Sequence, residues 1–192
     1  MPRNAPSALA AWLLVAAAAA RGAEAWRTVS VEDFGAKGDN STVNTKAFRA
    51  ALASVAGGGE VVVPAGGCFR TAPVNLTSNV VLRVDGTMRA VEDREAFPII
   101  GVLPSVGHDY DTNGPARYQS FVFAVGGRNI SIVGKGVIDG AGAYWWTRAS
   151  RQLNHGVGRP HLLELQNITD VVVTGVTLLN SPFWTFHPVY CT

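Results

Sequence analysis

Residues able to do chemistry are few in this chain and poorly spaced for it. The four histidines, His108, His155, His161 and His187, stand at no interval to one another or to Cys68 and Cys191 that would build a zinc site. No serine sits in a nucleophile elbow, and no Ser–His–Asp triad can be assembled. Asp109-Tyr110-Asp111-Thr112-Asn113-Gly114 follows the first half of a calcium loop, with oxygen ligands at alternate positions and glycine at the sharp turn. Its twelfth position, which needs a bidentate glutamate, is Ser120, and no amphipathic helices flank it, so a solvated loop tip is expected. Gly134-Lys135-Gly136 lacks the third glycine and the helix of a dinucleotide loop. Gly57-Gly58-Gly59 follows a helical pattern instead of opening one, so both runs read as turns. The sequence therefore assigns no metal, no cofactor and no catalytic residue.

Contact with a sugar is the chemistry these residues suit better. Trp145, Trp146 and Trp184 have faces that could stack on the apolar side of a pyranose, and equally could anchor a core or a loop. His187 lies among aromatics in Ser181-Pro182-Phe183-Trp184-Thr185-Phe186-His187-Pro188, where a hydrogen-bonded structural histidine is the plainer reading. Trp145 and His187 are the candidate substrate-binding residues. Four sequons, at Asn40, Asn75, Asn129 and Asn167, point to N-glycosylation at exposed turns.

The sequons fit the start of the chain. Arg3, an apolar run from Ala8 to Ala20 and the small-x-small site Ala23-Glu24-Ala25 predict a secretory signal over residues 1–25. That run is shorter than the ~20 apolar residues of a membrane span, so no membrane association is expected after cleavage. Residues 26–192 are then one secreted domain. The formal charge of +2 for the whole chain falls close to neutral without the leader, which excludes a strong electrostatic footprint for nucleic acid. Two cysteines in a secreted chain leave their pairing open.

The elements that must position these residues are short and repetitive. Ile130-Ser131-Ile132-Val133-Gly134-Lys135-Gly136-Val137-Ile138-Asp139-Gly140 is strand, glycine turn, strand and Asp-Gly corner, one coil of a chain that stacks coils. Asn79 to Gly86 upstream and Asp170 to Val176 downstream repeat the pattern, matching Asn79 to Asn129 to Asp170. Val29-Ser30-Val31 reads as a strand and Asp33 to Asn40 as turns. A helix fits Thr45 to Ala56, capped by the Asn44 side chain, with Ala47, Phe48, Ala51, Leu52 and Val55 on one face. It is the natural cover for the first coil, which would otherwise expose an edge. Glu60 to Pro64, Phe121 to Val125, His161 to Leu165, Val171 to Val173 and Val176 to Asn180 read as strands, and short strands with corners fill Ala65 to Val91. Glu92 to Gln119 reads as a long loop, and Ala143 to Pro160 as a second excursion. The fold class expected is all-β, a parallel β-helix with a short N-terminal capping helix.

The chain resembles the N-terminal part of a plant-type polygalacturonase, glycoside hydrolase family 28 of the pectin-lyase-like superfamily. The resemblance rests on Val31-Glu32-Asp33-Phe34-Gly35-Ala36-Lys37-Gly38-Asp39 with Asn44-Thr45-Lys46-Ala47-Phe48, on Gly136 to Trp146, and on Asn180 to Pro188. It implies a right-handed parallel β-helix and inverting hydrolysis of galacturonosyl bonds in pectin. The implied partner is pectic polysaccharide, and the implied place is the extracellular space or cell wall, with the protein a monomer. The family draws its catalytic groups from an Asn-Thr-Asp motif, an Asp-Asp pair and a Gly-His-Gly histidine, with an Arg-Ile-Lys stretch for the substrate carboxylate. None is present: Asn44-Thr45 is followed by Lys46, and no Asp-Asp pair exists. The solenoid is expected to be truncated at its C-terminal end and catalytically incompetent as a 192-residue chain. The alternative reading is a non-catalytic pectin-binding or interaction module from a shortened transcript, dependent on loop aromatics such as Trp145.

Overall fold

The computed structural model describes residues 26–103, 106–109, 113–147 and 156–192. The expected signal over 1–25 lies outside the described residues. Strand is the commonest regular element among the described residues, and the strands follow one another in five coils. The first coil holds β1 (Arg27–Ser30), β2 (Asp39–Val43) and the helix α1 (Thr45–Ser54). The second holds β3 (Gly59–Val63), β4 (Cys68–Thr71) and β5 (Val74–Asn75). The third starts with β6 (Val80–Val84) and β7 (Thr87–Ala90), leaves the stack through β8 (Ile99–Gly101) and β9 (Ala116–Tyr118), and returns in β10 (Val122–Val133). The fourth takes β11 (Val137–Asp139), the short helix α2 (Ala143–Trp146) and β12 (Leu163–Thr174). The fifth has β13 (Thr177–Leu179) and β14 (Phe186–Val189).

Register sorts these strands into three faces. On the first, Val61 pairs with Leu82, Leu82 with Ile132 and Ile132 with Val173, all parallel. On the second, Phe69 pairs with Met88, Met88 with Ile138 and Ile138 with Leu178. On the third, Val74 pairs with Val122, Val122 with Leu163 and Leu163 with Phe186. Strands β10 and β12 each turn a corner and serve two faces. This is a right-handed parallel β-helix, the hand that parallel crossovers take.

The core is a set of such rows. Val61, Leu82 and Ile132 are wholly buried, as are Met88 and Ile138. Like sits on like because each coil presents the same inward position at the same height. Helix α1 closes the first end by burying Ala47, Phe48, Ala51 and Leu52. Its apolar stripe is the predicted one, but the helix ends at Ser54, and Asn44 caps it by position alone. The Asn44 side chain turns away from the helix. Its Oδ1 accepts from Lys37 N–H at 2.8 Å, and its Nδ2 donates to the carbonyls of Lys37 and Thr42. Buried, that amide does more by satisfying a turn than by capping.

The corners explain the repeat. Register aligns Gly58, Asn79, Asn129 and Asp170, all with positive φ. Asn and Asp tolerate the left-handed region better than other side chains, and Asn129 Nδ2 donates to Asn79 Oδ1 at 3.3 Å. At the opposite corner the rungs meet backbone to backbone, and a Cβ at Gly136 would overlap the Gly86 carbonyl oxygen. Gly136→Ala is therefore expected to cost about 1–3 kcal/mol in urea unfolding. A loss below about 0.5 kcal/mol, the scale of an ordinary surface change, would show that this corner has slack.

The excursions depart from the sequence reading in detail. Residues Glu92 to Gln119 are not a plain loop: β8 and β9 pair antiparallel, with Ile99 opposite Tyr118 and Gly101 opposite Ala116. Two three-residue strands are too short for the pattern to announce. The segment read as turns before Asn40 includes a 3-10 turn over Val31–Phe34 and the start of β2 at Asp39. Within the calcium-like segment, residues 110–112 lie outside the described residues. Asp109 is no solvated tip, since it is buried with its carboxylate against Gly158. His155 also falls outside the described residues. Cys68 and Cys191 are both free thiols, donating to Asn40 Oδ1 and to the Leu165 carbonyl.

Candidate functional site

The third face carries an outward row in register: Asn75, Phe123, Glu164 and His187. Glu164 alternates with core Leu163 and Leu165 and so points away from the core, yet it has no exposed surface. The hairpin excursion covers it. Arg117 on β9 places Nη2 2.6 Å from Glu164 Oε1, Ser120 Oγ donates to Oε2 at 2.5 Å, and Gln166 Nε2 donates to Oε1 at 2.8 Å. Arg117 is held in turn by its own backbone, which bridges to Gly158: Tyr118 N–H donates to the Gly158 carbonyl and Gly158 N–H to the Ala116 carbonyl.

Two histidines complete the cluster. His187 Nδ1 lies 3.4 Å from Glu164 Oε1, at the outer edge of an ion pair and without a well-aligned hydrogen bond. His161 stacks on Trp184 at 5.1 Å, meets His187 edge-on at 4.8 Å, and accepts from Trp184 N–H through Nδ1. These side chains, with Phe183 and Asp109, line a crevice with room for about one water molecule.

Electrostatics fix the protonation states. Burial pushes the Glu164 carboxyl up, but Arg117 and the hydrogen bonds from Ser120 and Gln166 outweigh it, so the group sits below its ordinary range. Burial drives His161 down to about 3, helped by Arg117 and His187 and opposed by Glu164. Burial also lowers His187, against the pull of Glu164. At neutral pH the cluster is thus one carboxylate, one guanidinium and two neutral imidazoles. Glu164 cannot serve as acid or base, since its charge is neutralised and both oxygens already accept hydrogen bonds. His161, Glu164 and His187 bring ligand atoms within 4.8 Å of one another, but a cation there would compete with Arg117 for the same carboxylate.

The signs give a pH prediction. Unfolded His161 takes a proton near 6.5 while the native imidazole stays neutral down to about 3. The unfolded chain binds more protons in that window, so stability falls as pH drops through it. Glu164 acts the same way at lower pH: its native pKa is below the ordinary 4.5, so protonation favours the unfolded chain from there downward. The urea midpoint is expected to decline from about pH 6.5, and His161→Phe to flatten the upper part of that decline. An unchanged profile in the variant would contradict the buried neutral imidazole.

Trp145 corrects the sequence reading. It has no exposed surface and sits against Phe97, Tyr118 and Tyr144 with ring centroids 5.2, 5.1 and 5.4 Å away. It cannot stack on a sugar, because α2 and the hairpin excursion enclose it. Among the described residues the exposed tryptophans are Trp26, Trp146 and Trp184, the last beside His187. His187 remains at the crevice mouth, partly exposed. Glu164, Arg117 and His161 were missed in the sequence. A glutamate between leucines signals an outward strand position, but nothing local says that a distant hairpin covers it.

A family model described as rhamnogalacturonase A/epimerase, pectate lyase-like matches residues 28–157. The chain belongs to that family. A probable polygalacturonase of Vitis vinifera is 38% identical over 175 residues, 85% of this chain and 34% of that protein. An endo-polygalacturonase of Pectobacterium parmentieri is 31% identical over 80% of this chain and 40% of its own length. Among solved structures, a hyperthermoactive exopolygalacturonase of Thermotoga maritima superposes with a TM-score of 0.72 at 28% identity, covering 86% of this chain and 44% of that one. This family member spans about a third of the grape relative's length.

Proposed function

We propose that these coils are the N-terminal portion of a secreted polygalacturonase that hydrolyses galacturonosyl bonds of pectin with inversion, acting as a monomer outside the cell or in the cell wall. The observation that carries this is the match to the grape polygalacturonase over 85% of the chain. The run Asn180 to Pro188 carries His187 on β14 of the third face, with Trp184 just before that strand. His187 is proposed to contact the sugar at the crevice mouth.

Inversion needs two carboxyl groups about 6.5–9.5 Å apart, one to protonate the leaving oxygen and one to activate water. In the outward row the carboxylate is Glu164, and it is locked. The acid and base are therefore proposed to come from outside residues 26–192. The purified 192-residue chain is expected to release no reducing ends from polygalacturonate, and release at any sustained rate would overturn this reading. For secretion, the support is Arg3, the apolar leader and the sequons. Asn40, Asn129 and Asn167 stand on exposed left-handed corners and are the proposed glycan sites. A glycosidase-induced mass shift at these asparagines, in protein collected from a eukaryotic culture medium, tests it.

A further inference from the structure

A second concavity lies on the third face, at the end closed by α1. Three elements that are far apart in sequence meet there: α1 brings Arg49 and Leu52, the β5 segment Asn75 and Thr77, and the base of the hairpin excursion Pro98 and Gln119. The groove holds about 270 Å³, at the small end of ligand clefts, which run from ~300 to ~1,000 Å³. That suits a single ring better than a large ligand.

Its polar groups are held ready. Gln119 donates from its backbone to the Pro98 carbonyl at 2.8 Å and from Nε2 to Asn75 Oδ1 at 2.7 Å. The bond fixes the Asn75 amide through its oxygen and leaves its Nδ2 to donate elsewhere. Arg49 has no hydrogen bond or ion pair among the described residues. Leu52 and Pro98 give the walls an apolar surface. An arginine with five donors prefers a planar anion, amides and a hydroxyl suit sugar hydroxyls, and apolar walls suit the C–H face of a pyranose.

We propose that this groove binds one uronate residue, with Arg49 taking the carboxylate and Asn75, Thr77 and Gln119 the ring hydroxyls. Naming the uronate as part of a pectic chain rests on the proposed function; the acidic-sugar chemistry does not. Asn75 stands in the same outward row as His187, three rungs away, or roughly 14 Å at about 4.8 Å per rung. A short acidic oligosaccharide along the face would reach from one to the other. The groove is thus a holding site removed from the His187 crevice.

The test is a titration of the full chain made in a bacterial host, where Asn75 carries no glycan, with digalacturonate and with neutral galactobiose. Amide shifts in α1 report binding at the groove, and a thermal melt confirms that Arg49→Met is folded. Binding of digalacturonate that shifts α1 amides, weakens about fivefold in Arg49→Met and exceeds binding of galactobiose supports the site. Equal binding by Arg49→Met, shifts confined to the His161–His187 crevice, or no binding at all would overturn it. So would a glycan on Asn75 in protein secreted from a eukaryotic host, because the chain's own sugar would then fill the groove. None of these outcomes depends on hydrolysis: a failure of the polygalacturonase reading would appear as an inactive whole enzyme with the titration unchanged.

Discussion

Arg117→Met is expected to destabilise the fold by about 3–5 kcal/mol, because it leaves the Glu164 carboxylate buried and unpaired. For a domain of this size that is a fall of roughly 6–20 °C in melting temperature. The pair is not thereby a large net stabiliser. Both ions give up water to reach the inside of the excursion, and their attraction offsets that cost without greatly exceeding it. The double variant Arg117→Met/Glu164→Leu is accordingly expected to recover much of the loss, since it removes both charges. Urea unfolding of the two variants beside the parent decides it. An Arg117→Met protein within about 1 kcal/mol of the parent would mean that water reaches Glu164, contrary to its burial. The hairpin should also loosen, because Arg117 is its tie to the third face.

The second large effect concerns Trp145. Trp145→Ala empties a site enclosed by Phe97, Tyr118 and Tyr144 and is expected to cost about 3–5 kcal/mol. Trp145→Phe should cost distinctly less. It keeps an aromatic ring in the cluster and removes an indole N–H that has no hydrogen-bond partner among the described residues. Neither change should touch the proposed uronate groove directly, so Trp145→Phe is expected to titrate with digalacturonate as the parent does. A variant that kept its melting temperature but lost sugar binding would restore Trp145 to the surface role that its position in the sequence suggested.

The two cases show what a linear reading reaches and what it does not. Rows such as Leu82, Ile132 and Val173 were legible because strand alternation is local and the coils repeat it. The matching of Asn79 to Asn129 to Asp170 was legible because a left-handed corner restricts residue type. Helix α1 was legible from its apolar spacing. The site was not, because it depends on which outward positions an excursion covers. Glu164 looks solvent-facing and is sealed; Trp145 looks like a loop residue and is core. Asn44 sits where a capping residue belongs, yet its side chain serves the turn before it. Each of these turns on contacts with residues that the local pattern does not bring into view.

One feature of the coils bears on how such a chain tolerates change in length. The corner between the first and second faces is tight, with glycine backbone against glycine backbone, whereas the hairpin and the α2 segment leave the stack between the second and third faces. Added residues are therefore expected to be harmless at the tips of those excursions, and ruinous between Val84 and Thr87 or between Val133 and Val137. Lengthening confined to one edge would let such a solenoid reshape its third face while its ladders stay in step.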